Sequence, residues 1–276
     1  MKVALLGSGV MGSAVLSSFV RADGVTHVAV TDARAGHARE VAERHRGGAP
    51  VEVSGGDDNV AAVSGADVVV LAVKPQHVPA LLAQVADAVG PDAIVVSIAA
   101  GVTCAAIEQA LPAGTAVVRV MPNTPATIGQ GVAAVSAGAT ASGDHLDLVE
   151  LLLAGTGLVV RVPEEQQSVV TAISGSGPAY VFHLIDALAE AGTAGGLPRA
   201  LALRLAAATV AGSGAYAQTS GEHPALLREA VSSPAGTTLA ALEVLDDRAV
   251  RAAYGAAVRA AARRADELAA PPGGRA

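Results

Sequence analysis

The sequence is poor in aromatic residues and cysteine, and each scarcity narrows what the protein can be. Its 276 residues include no Trp, three Tyr, two Phe and one Cys, although 51% are hydrophobic. The core must therefore be built from Ala, Val, Leu and Ile, with helices that approach closely through small side chains. A single cysteine excludes an internal disulfide, and Cys104 is expected to be a small buried apolar residue.

Positive charge and long apolar runs are also limited. The formal net charge is −7 and the basic residues are scattered, so nothing indicates nucleic-acid binding. The apolar stretches are interrupted before they reach the ~18 consecutive residues of a membrane span. The first apolar run is typical of a strand followed by a glycine loop rather than of a signal peptide. We expect a soluble cytoplasmic protein without a metal site.

Lysine occurs only at Lys2 and Lys74, and this restricts the chemistry. Oxidation of an alcohol usually needs a nearby base, such as His, Lys, or a Tyr with a Lys four residues later. The Tyr–Lys pair is impossible here, and the absence of Lys from the long helix after Gly177 counts against the 3-hydroxyacid dehydrogenases. His183 is expected in the core and His223 in a turn. Reduction of a carbon–nitrogen double bond needs no strong protein base and remains open.

A glycine loop follows the first apolar run directly. The residues are Gly7, Ser8, Gly9, Val10, Met11 and Gly12, with a helical pattern after them. A G-x-G-x-x-G sequence between a strand and a helix predicts a dinucleotide site, with the phosphates at the helix N-terminus. The alternative is a glycine-rich turn that binds nothing.

The end of the second predicted strand carries mixed signals about the cofactor. Asp32 is placed to accept a hydrogen bond from the ribose of NAD, whereas Arg34 favours the 2′-phosphate of NADP. Because Arg34 lies in the short loop where a phosphate would sit, we expect NADP(H) to be preferred, with NAD(H) as an alternative.

Further strand ends supply residues to the same predicted sheet edge. Lys74 ends the strand over residues 68–73, and Pro75 suits the first turn of the next helix. Ala99, Ala100 and Gly101 are small enough for a flat ring to lie against them.

The alternation of strands and helices predicts an α/β fold with a doubly wound sheet. Residues 157–162 form the last predicted strand, and only helical patterns follow. We therefore predict an N-terminal Rossmann dinucleotide-binding domain over residues 1–162 and an all-α dimerisation and substrate-binding domain over residues 163–276. Two of its helices are apolar nearly all round and must be buried, which predicts a homodimer.

The stretch over residues 231–238 combines two Ser, a Pro, a Gly and two Thr before a helical pattern. Hydroxyls and free backbone N–H groups at a helix start can bind a small anion. The alternative is an ordinary loop with a helix cap. If functional, the site suits a substrate with a carboxylate and a ring imine.

These motifs together resemble the Δ1-pyrroline-5-carboxylate reductase family. The matching stretches are residues 7–12, 72–76, 97–102, 119–125, 174–180 and 231–238. The resemblance covers nearly the whole chain and implies NAD(P)H-dependent reduction of the cyclic imine to L-proline. It also implies a helical domain that interlocks two subunits, and in some members a ring of dimers such as a decamer.

The resemblance also implies roles for individual residues. Thr238 corresponds to the hydroxyl near the imine nitrogen and is the implied catalytic residue. The implied substrate-binding residues are Glu164, Ser233, Gly236, Thr237 and Thr238. The implied cofactor-binding residues are Gly7, Ser8, Gly9, Val10, Met11, Gly12, Arg34, Asn59, Ala72, Val73, Lys74, Pro75, Ala99, Ala100 and Gly101.

Two positions depart from the family pattern. Ala235 replaces a glycine that is commoner in the loop, and Ala230 stands where some members carry Asn. Two other functions stay open from the sequence. One is a reductase of a related six-membered cyclic imine acid, and the other is a regulator that binds NADP(H) without turnover.

Overall fold

The computed structural model describes residues 1–45 and 51–269. Within these, the strands are β1 (Lys2–Leu6), β2 (His27–Thr31), β3 (Glu52–Gly56), β4 (Val68–Leu71), β5 (Ile94–Ser97), β6 (Ala116–Pro122), β7 (Gly131–Ala137) and β8 (Gly157–Arg161). The first seven α-helices are α1 (Val10–Phe19), α2 (His37–Arg44), α3 (Asn59–Val63), α4 (Val78–Val85), α5 (Cys104–Glu108), α6 (Gly143–Leu153) and α7 (Gln167–Val170). The last five are α8 (Gly177–Ala194), α9 (Arg199–Ser220), α10 (Pro224–Ala230), α11 (Thr237–Asp247) and α12 (Val250–Ala269).

All eight strands form one sheet in the order β3-β2-β1-β4-β5-β6-β7-β8. The first six in that order are parallel and show the strand order of a Rossmann fold. Strand β7 pairs antiparallel with β6, and β8 pairs parallel with β7. The predicted doubly wound sheet is confirmed, and β7 is a strand that the sequence pattern did not predict.

Each face of the sheet is covered by its own apolar core. Along β1, Val3 and Leu5 belong to one buried cluster, whereas Ala4 and Leu6 belong to the other. Successive side chains of a strand point to opposite faces, so burial of all four requires helices on both sides. Cys104 lies in the second cluster and is 2% exposed, as its sequence context predicted.

The chain divides into two compact units. One contains Met1–Gly175 together with the C-terminal residues from Ala261, and the other contains Ser176–Ala260. The predicted domain boundary falls after Val162, one residue past the end of β8. The compact units divide later because α7 still packs on the sheet, where the fully buried Gln167 donates to the carbonyl of Ala134.

The second unit is helical, and its own interior is small. Helices α8 and α9 pack together through the buried residues Ala189, Ala202 and Ala206. His183, expected in the core, is instead exposed within the single chain. Most large apolar side chains of this unit are also exposed, including Phe182, Leu188, Leu205, Tyr216, Leu226, Val244, Leu245 and Tyr254.

Two helical stretches, Glu164–Ala194 and Arg199–Ser220, are long and apolar enough to cross a membrane by length and composition alone. Little of either is buried within the single chain. The high hydropathy and the low burial of these stretches have one cause: the helices carry apolar residues on faces that this chain does not cover.

Candidate active site

The glycine loop connects β1 to α1, and the absence of a side chain has a different geometric effect at each of its three glycines. Gly7 has φ +108°, and a Cβ there would lie 2.6 Å from the carbonyl oxygen of Ala72. A Cβ on Gly12 would overlap the carbonyl oxygen of Gly7, whereas a Cβ on Gly9 would meet nothing within 4 Å. The loop therefore needs Gly7 for its turn and Gly12 for close packing, and it leaves open space at Gly9.

The N-terminus of α1 has no side-chain cap at Gly9. The first N–H groups of a helix have no partner within the helix and carry partial positive charge, so an uncapped start favours an anion. The open space at Gly9 lies at this helix start. This arrangement fits the pyrophosphate of a dinucleotide.

Asp32 at the end of β2 organises the loop. One oxygen, Oδ2, accepts from the backbone N–H of Ser8 at 3.0 Å and from its hydroxyl at 2.8 Å. The guanidinium of Arg34 donates to the same carboxylate, from Nε to Oδ1 at 3.0 Å and from Nη2 to Oδ2 at 3.2 Å. Ser8 is 1% exposed, so it supports the loop from inside, whereas the Arg34 side chain is 62% exposed.

Burial raises the pKa of Asp32, but the hydrogen bonds from Arg34 and Ser8 outweigh it. The net result is a pKa well below the usual range of an aspartate. The carboxylate is therefore charged at every working pH.

The other predicted cofactor residues follow neighbouring strands. Because β2, β1, β4 and β5 are adjacent and parallel, their carboxyl ends meet at one sheet edge. Lys74 is exposed there and precedes a helical turn with Pro75 in its first positions. Gly101 has φ +76°, and Ala99 is 3% exposed.

Asn59, at the start of α3, contacts the end of β2. Its Oδ1 accepts from the hydroxyl of Thr31 at 2.6 Å, and its amide donates to Gln84 at 2.9 Å. These bonds fix the orientation of the Asn59 side chain beside the same edge.

Glu164 lies in a helical turn after β8, and its oxygen Oε1 is held from two sides. The buried Arg119 donates to it from Nη1 at 3.1 Å, and the N–H of Cys104 donates to it at 2.8 Å. Burial, and then the charge of Glu164, raises the pKa of the Cys104 thiol to about 12. The thiol is therefore protonated and inert at neutral pH.

The loop over residues 231–238 lies in the helical unit and forms a tight turn. The N–H of Gly236 donates to the carbonyl of Ser233 at 3.0 Å, with Pro234 in the second position. Ala235 has φ +57°, a left-handed conformation that the third position of a type II turn requires and that glycine normally supplies. The departure from the family pattern therefore falls on a strained backbone position.

The same loop opens α11, and its N-terminus has no side-chain cap at Gly236. Thr237 and Thr238 are the first two residues of the helix, and the Thr238 side chain is half-buried. A Cβ on Gly236 would collide with Ser233. The turn thus presents free N–H groups and hydroxyls together, as an anion site requires.

Two family models match this chain. Residues 164–268 match "Pyrroline-5-carboxylate reductase dimerisation", and residues 2–101 match "NADP oxidoreductase coenzyme F420-dependent". The pyrroline-5-carboxylate reductase of Corynebacterium melassecola is 38% identical over 96% of this chain and 98% of its own length. The chain belongs to the pyrroline-5-carboxylate reductase family.

Other reductases of this family agree in length and fold. The one from Methanosarcina acetivorans is 36% identical and covers 97% of both chains. The solved structure of the pyrroline-5-carboxylate reductase from Coxiella burnetii superposes with a TM-score of 0.89 at 32% identity, over 98% of both chains. The resemblance inferred from six short motifs is thereby confirmed over nearly the whole chain.

The structure places the predicted cofactor residues along one sheet edge, after the adjacent strands β1, β2, β4 and β5. Asn59 follows β3 and bonds to Thr31 at the end of β2. Four of the five predicted substrate residues lie in one short segment: Ser233 and Gly236 in the turn, and Thr237 and Thr238 at the start of α11. The fifth, Glu164, belongs to the first unit. Sequence reasoning missed the contact between the His37 ring and the Ser8 carbonyl oxygen, at 3.2 Å. No motif signals this pair, because the two residues meet only through the strand order.

Proposed function

We propose that this protein is an NAD(P)H-dependent oxidoreductase that reduces the cyclic imine of L-1-pyrroline-5-carboxylate to L-proline. The observation that carries the proposal is the glycine loop on β1, with an uncapped α1 behind it, in a chain 38% identical to a pyrroline-5-carboxylate reductase. NADP(H) is the preferred cofactor and NAD(H) the alternative.

The cofactor residues are those predicted from the sequence. Backbone N–H groups of the loop and the start of α1 hold the pyrophosphate. Arg34 meets the 2′-phosphate, because its exposed guanidinium ends the loop after β2. Small residues at Ala99, Ala100 and Gly101 leave room for the nicotinamide ring.

The substrate carboxylate binds at the N-terminus of α11, where Gly236, Thr237 and Ser233 surround it. Three features support this place: uncapped N–H groups, adjacent hydroxyls and the positive end of the helix. Glu164 is proposed to bind substrate as well, from a position fixed by Arg119.

The reduced nicotinamide supplies the hydride for the reaction. The chain contributes orientation and a proton path, and we assign the latter to the hydroxyl of Thr238, which holds the imine nitrogen. No lysine base is needed, because an imine accepts hydride once its nitrogen is protonated. A mechanism without a lysine base agrees with the scarcity of lysine, which occurs only at Lys2 and Lys74.

The helical half is proposed to form a homodimer, with a ring of dimers up to a decamer as a further step. The domain boundary is proposed after Val162, close to residue 164, where the dimerisation match begins. A second chain would cover the apolar faces of α8 and α9. With these faces covered, the helices need no membrane, and we propose a cytoplasmic protein. Light scattering without detergent should give at least twice the mass of the chain, whereas material that requires detergent would indicate a membrane.

The decisive experiment follows NADPH and NADH oxidation by the purified protein with pyrroline-5-carboxylate. Steady turnover is expected, with a larger kcat/KM for NADPH. A larger kcat/KM for the six-membered cyclic imine would reassign the substrate. Tight NADP(H) binding without turnover of either imine would indicate a regulator and overturn the proposed reaction.

A further inference from the structure

The carboxylate of Asp32 has all its acceptor positions filled within the chain. Besides the two bonds from Ser8 and the two from the guanidinium, Oδ1 accepts from the backbone N–H of Arg34 at 2.9 Å. Five donors thus share one carboxylate, which offers about four lone-pair sites. The Asp32 side chain is only 10% exposed. No acceptor position remains for a ribose hydroxyl.

Arg34 pairs with Asp32 through one edge of its guanidinium. Nε and one N–H of Nη2 face the carboxylate. A guanidinium has five N–H groups, so three remain, on Nη1 and on the outer side of Nη2. They are fixed in direction because the fork is planar and one edge is anchored.

We propose that Asp32 is a positioning residue for a 2′-phosphate: it holds Arg34 in the orientation that binds the phosphate and does not itself bind the ribose. The inference deepens the proposed function and rests on it, in that the ligand is the adenosine end of NADP(H). It reverses the usual role of an acid at the end of β2, which accepts ribose hydroxyls and repels the 2′-phosphate.

The geometry favours the positioning role for two reasons. An exposed arginine loses much side-chain freedom when it binds a phosphate, and an anchor that orders it beforehand removes part of that cost. The negative charge of Asp32 is also paired directly with Arg34, and hydrogen bonds from Ser8 disperse it further. The carboxylate therefore opposes a phosphate less than an unpaired acid would.

Binding of two nucleotide fragments to the full-length protein tests the inference without turnover. The probes are 2′,5′-ADP, which carries the 2′-phosphate, and 5′-AMP, which lacks it. We expect Asp32→Asn to weaken 2′,5′-ADP by about tenfold, since a charge-assisted bidentate pair is lost, and to change 5′-AMP by about twofold at most. Tighter binding of 2′,5′-ADP to this variant would overturn the proposal.

A double mutant shows whether Asp32 acts through Arg34. If it does, Asp32→Asn combined with Arg34→Ala discriminates between the two nucleotides no worse than Arg34→Ala alone, because the effects are not additive. Independent, additive losses would contradict the positioning role.

Two further variants separate the positioning role of Asp32 from a general effect of charge. Asp57→Asn removes an exposed carboxylate just after β3, at the same sheet edge, and should leave the discrimination unchanged. An equal loss of discrimination in Asp57→Asn would mean that removal of any nearby negative charge has this effect, and it would contradict a specific role of Asp32. Arg34→Lys keeps Asp32 and the positive charge but cannot make the two-pronged pair, so it should also lose discrimination. A lysine variant that discriminates like the parent would overturn the role of orientation.

The same assay separates this inference from the proposed reaction. A parent protein that binds 2′,5′-ADP but reduces no imine would contradict the reaction and leave the role of Asp32 standing. The ratio of kcat/KM for NADPH over NADH should fall in Asp32→Asn along with the fragment discrimination. A rise in that ratio would assign Asp32 to the ribose of NAD.

Discussion

Arg119 reaches from β6 to Glu164, donating from Nη1 to Oε1 at 3.1 Å, and it does so while almost wholly buried. The same oxygen accepts from the N–H of Cys104, at the start of α5. Glu164 thus joins three segments of the first unit through contacts within the chain. A residue to which family resemblance gives a binding role also has a structural one.

Glu164→Gln should lower the free energy of unfolding by about 1–2 kcal/mol, because the buried guanidinium of Arg119 loses its charged partner. It should also raise the KM for the imine, since the carboxylate is proposed to face the substrate. Chemical denaturation and steady-state kinetics measure the two effects. Glu165→Gln is the matched control, as its exposed side chain lies in the same turn. Equal stability of the two variants would contradict the structural role.

Cys104 should resist alkylation in the folded protein at neutral pH. Its buried thiol has a raised pKa of about 12, so the reactive thiolate is nearly absent. Mass spectrometry after iodoacetamide treatment should find modification only once urea has unfolded the chain. Because the folded pKa lies above the unfolded one, this thiol contributes stability that is present below pH 9 and lost towards about pH 12. Rapid labelling of the native protein would contradict this environment.

The two glycines Gly9 and Gly12 should respond differently to alanine. Gly12→Ala forces a methyl group into the Gly7 carbonyl oxygen and should lower the melting temperature as well as cofactor binding. Gly9→Ala meets no atom of the chain, so stability should change by only about 0.5 kcal/mol while cofactor binding weakens. Thermal melts with and without NADPH separate the cases. A Gly9 variant that binds NADPH as the parent does would place the pyrophosphate elsewhere.

Ala235→Gly should stabilise the protein by about 1 kcal/mol, because it relieves a left-handed alanine. The comparison is Ala230→Gly at the end of α10, where glycine only adds backbone freedom and should destabilise by roughly the same amount. Denaturation midpoints should therefore move in opposite directions. Destabilisation by both substitutions would mean that the turn is not strained.

Thr238→Ala should lower kcat by about 100-fold, as expected for loss of a proton-transfer group, and leave the Kd for NADPH nearly unchanged. Thr238→Ser keeps a hydroxyl at the same place and should recover most of the rate. Stopped-flow measurement of hydride transfer and cofactor titration report the two quantities. A serine variant as slow as the alanine variant would remove the hydroxyl from the reaction.

The structure of the first unit could be predicted closely where it depends on a short stretch of sequence. The glycine loop, the parallel sheet and the position of Lys74 and Ala99 just beyond strands all follow from short apolar runs with glycines or helices beside them. The strand predicted over residues 68–73 is shorter, since β4 ends at Leu71. Strand β7 was missed because Gly131–Ala137 has three Ala among its seven residues, and because it runs antiparallel to β6, which breaks the strand–helix alternation.

Contacts between distant residues were beyond sequence reasoning. At Asp32 and Arg34 the sequence predicted either a ribose contact or a phosphate contact, since nothing local shows that Ser8 and Arg34 occupy the oxygens of Asp32. His183 read as a core residue because its neighbours are apolar, yet those neighbours are exposed within the chain. The physical reason is the same for both residues: a side chain's partner is fixed by the fold and not by the adjacent sequence.

The buried core of the helical unit consists of only three small alanines, and this affects how the protein's stability depends on its concentration. A newly made copy would expose Phe182, Leu205 and Tyr216 until it meets another. If a second chain covers these faces, as proposed above, folding of this half is a second-order process, and its apparent stability rises with protein concentration. Dilution of the purified dimer would then lower its melting temperature as well as its activity.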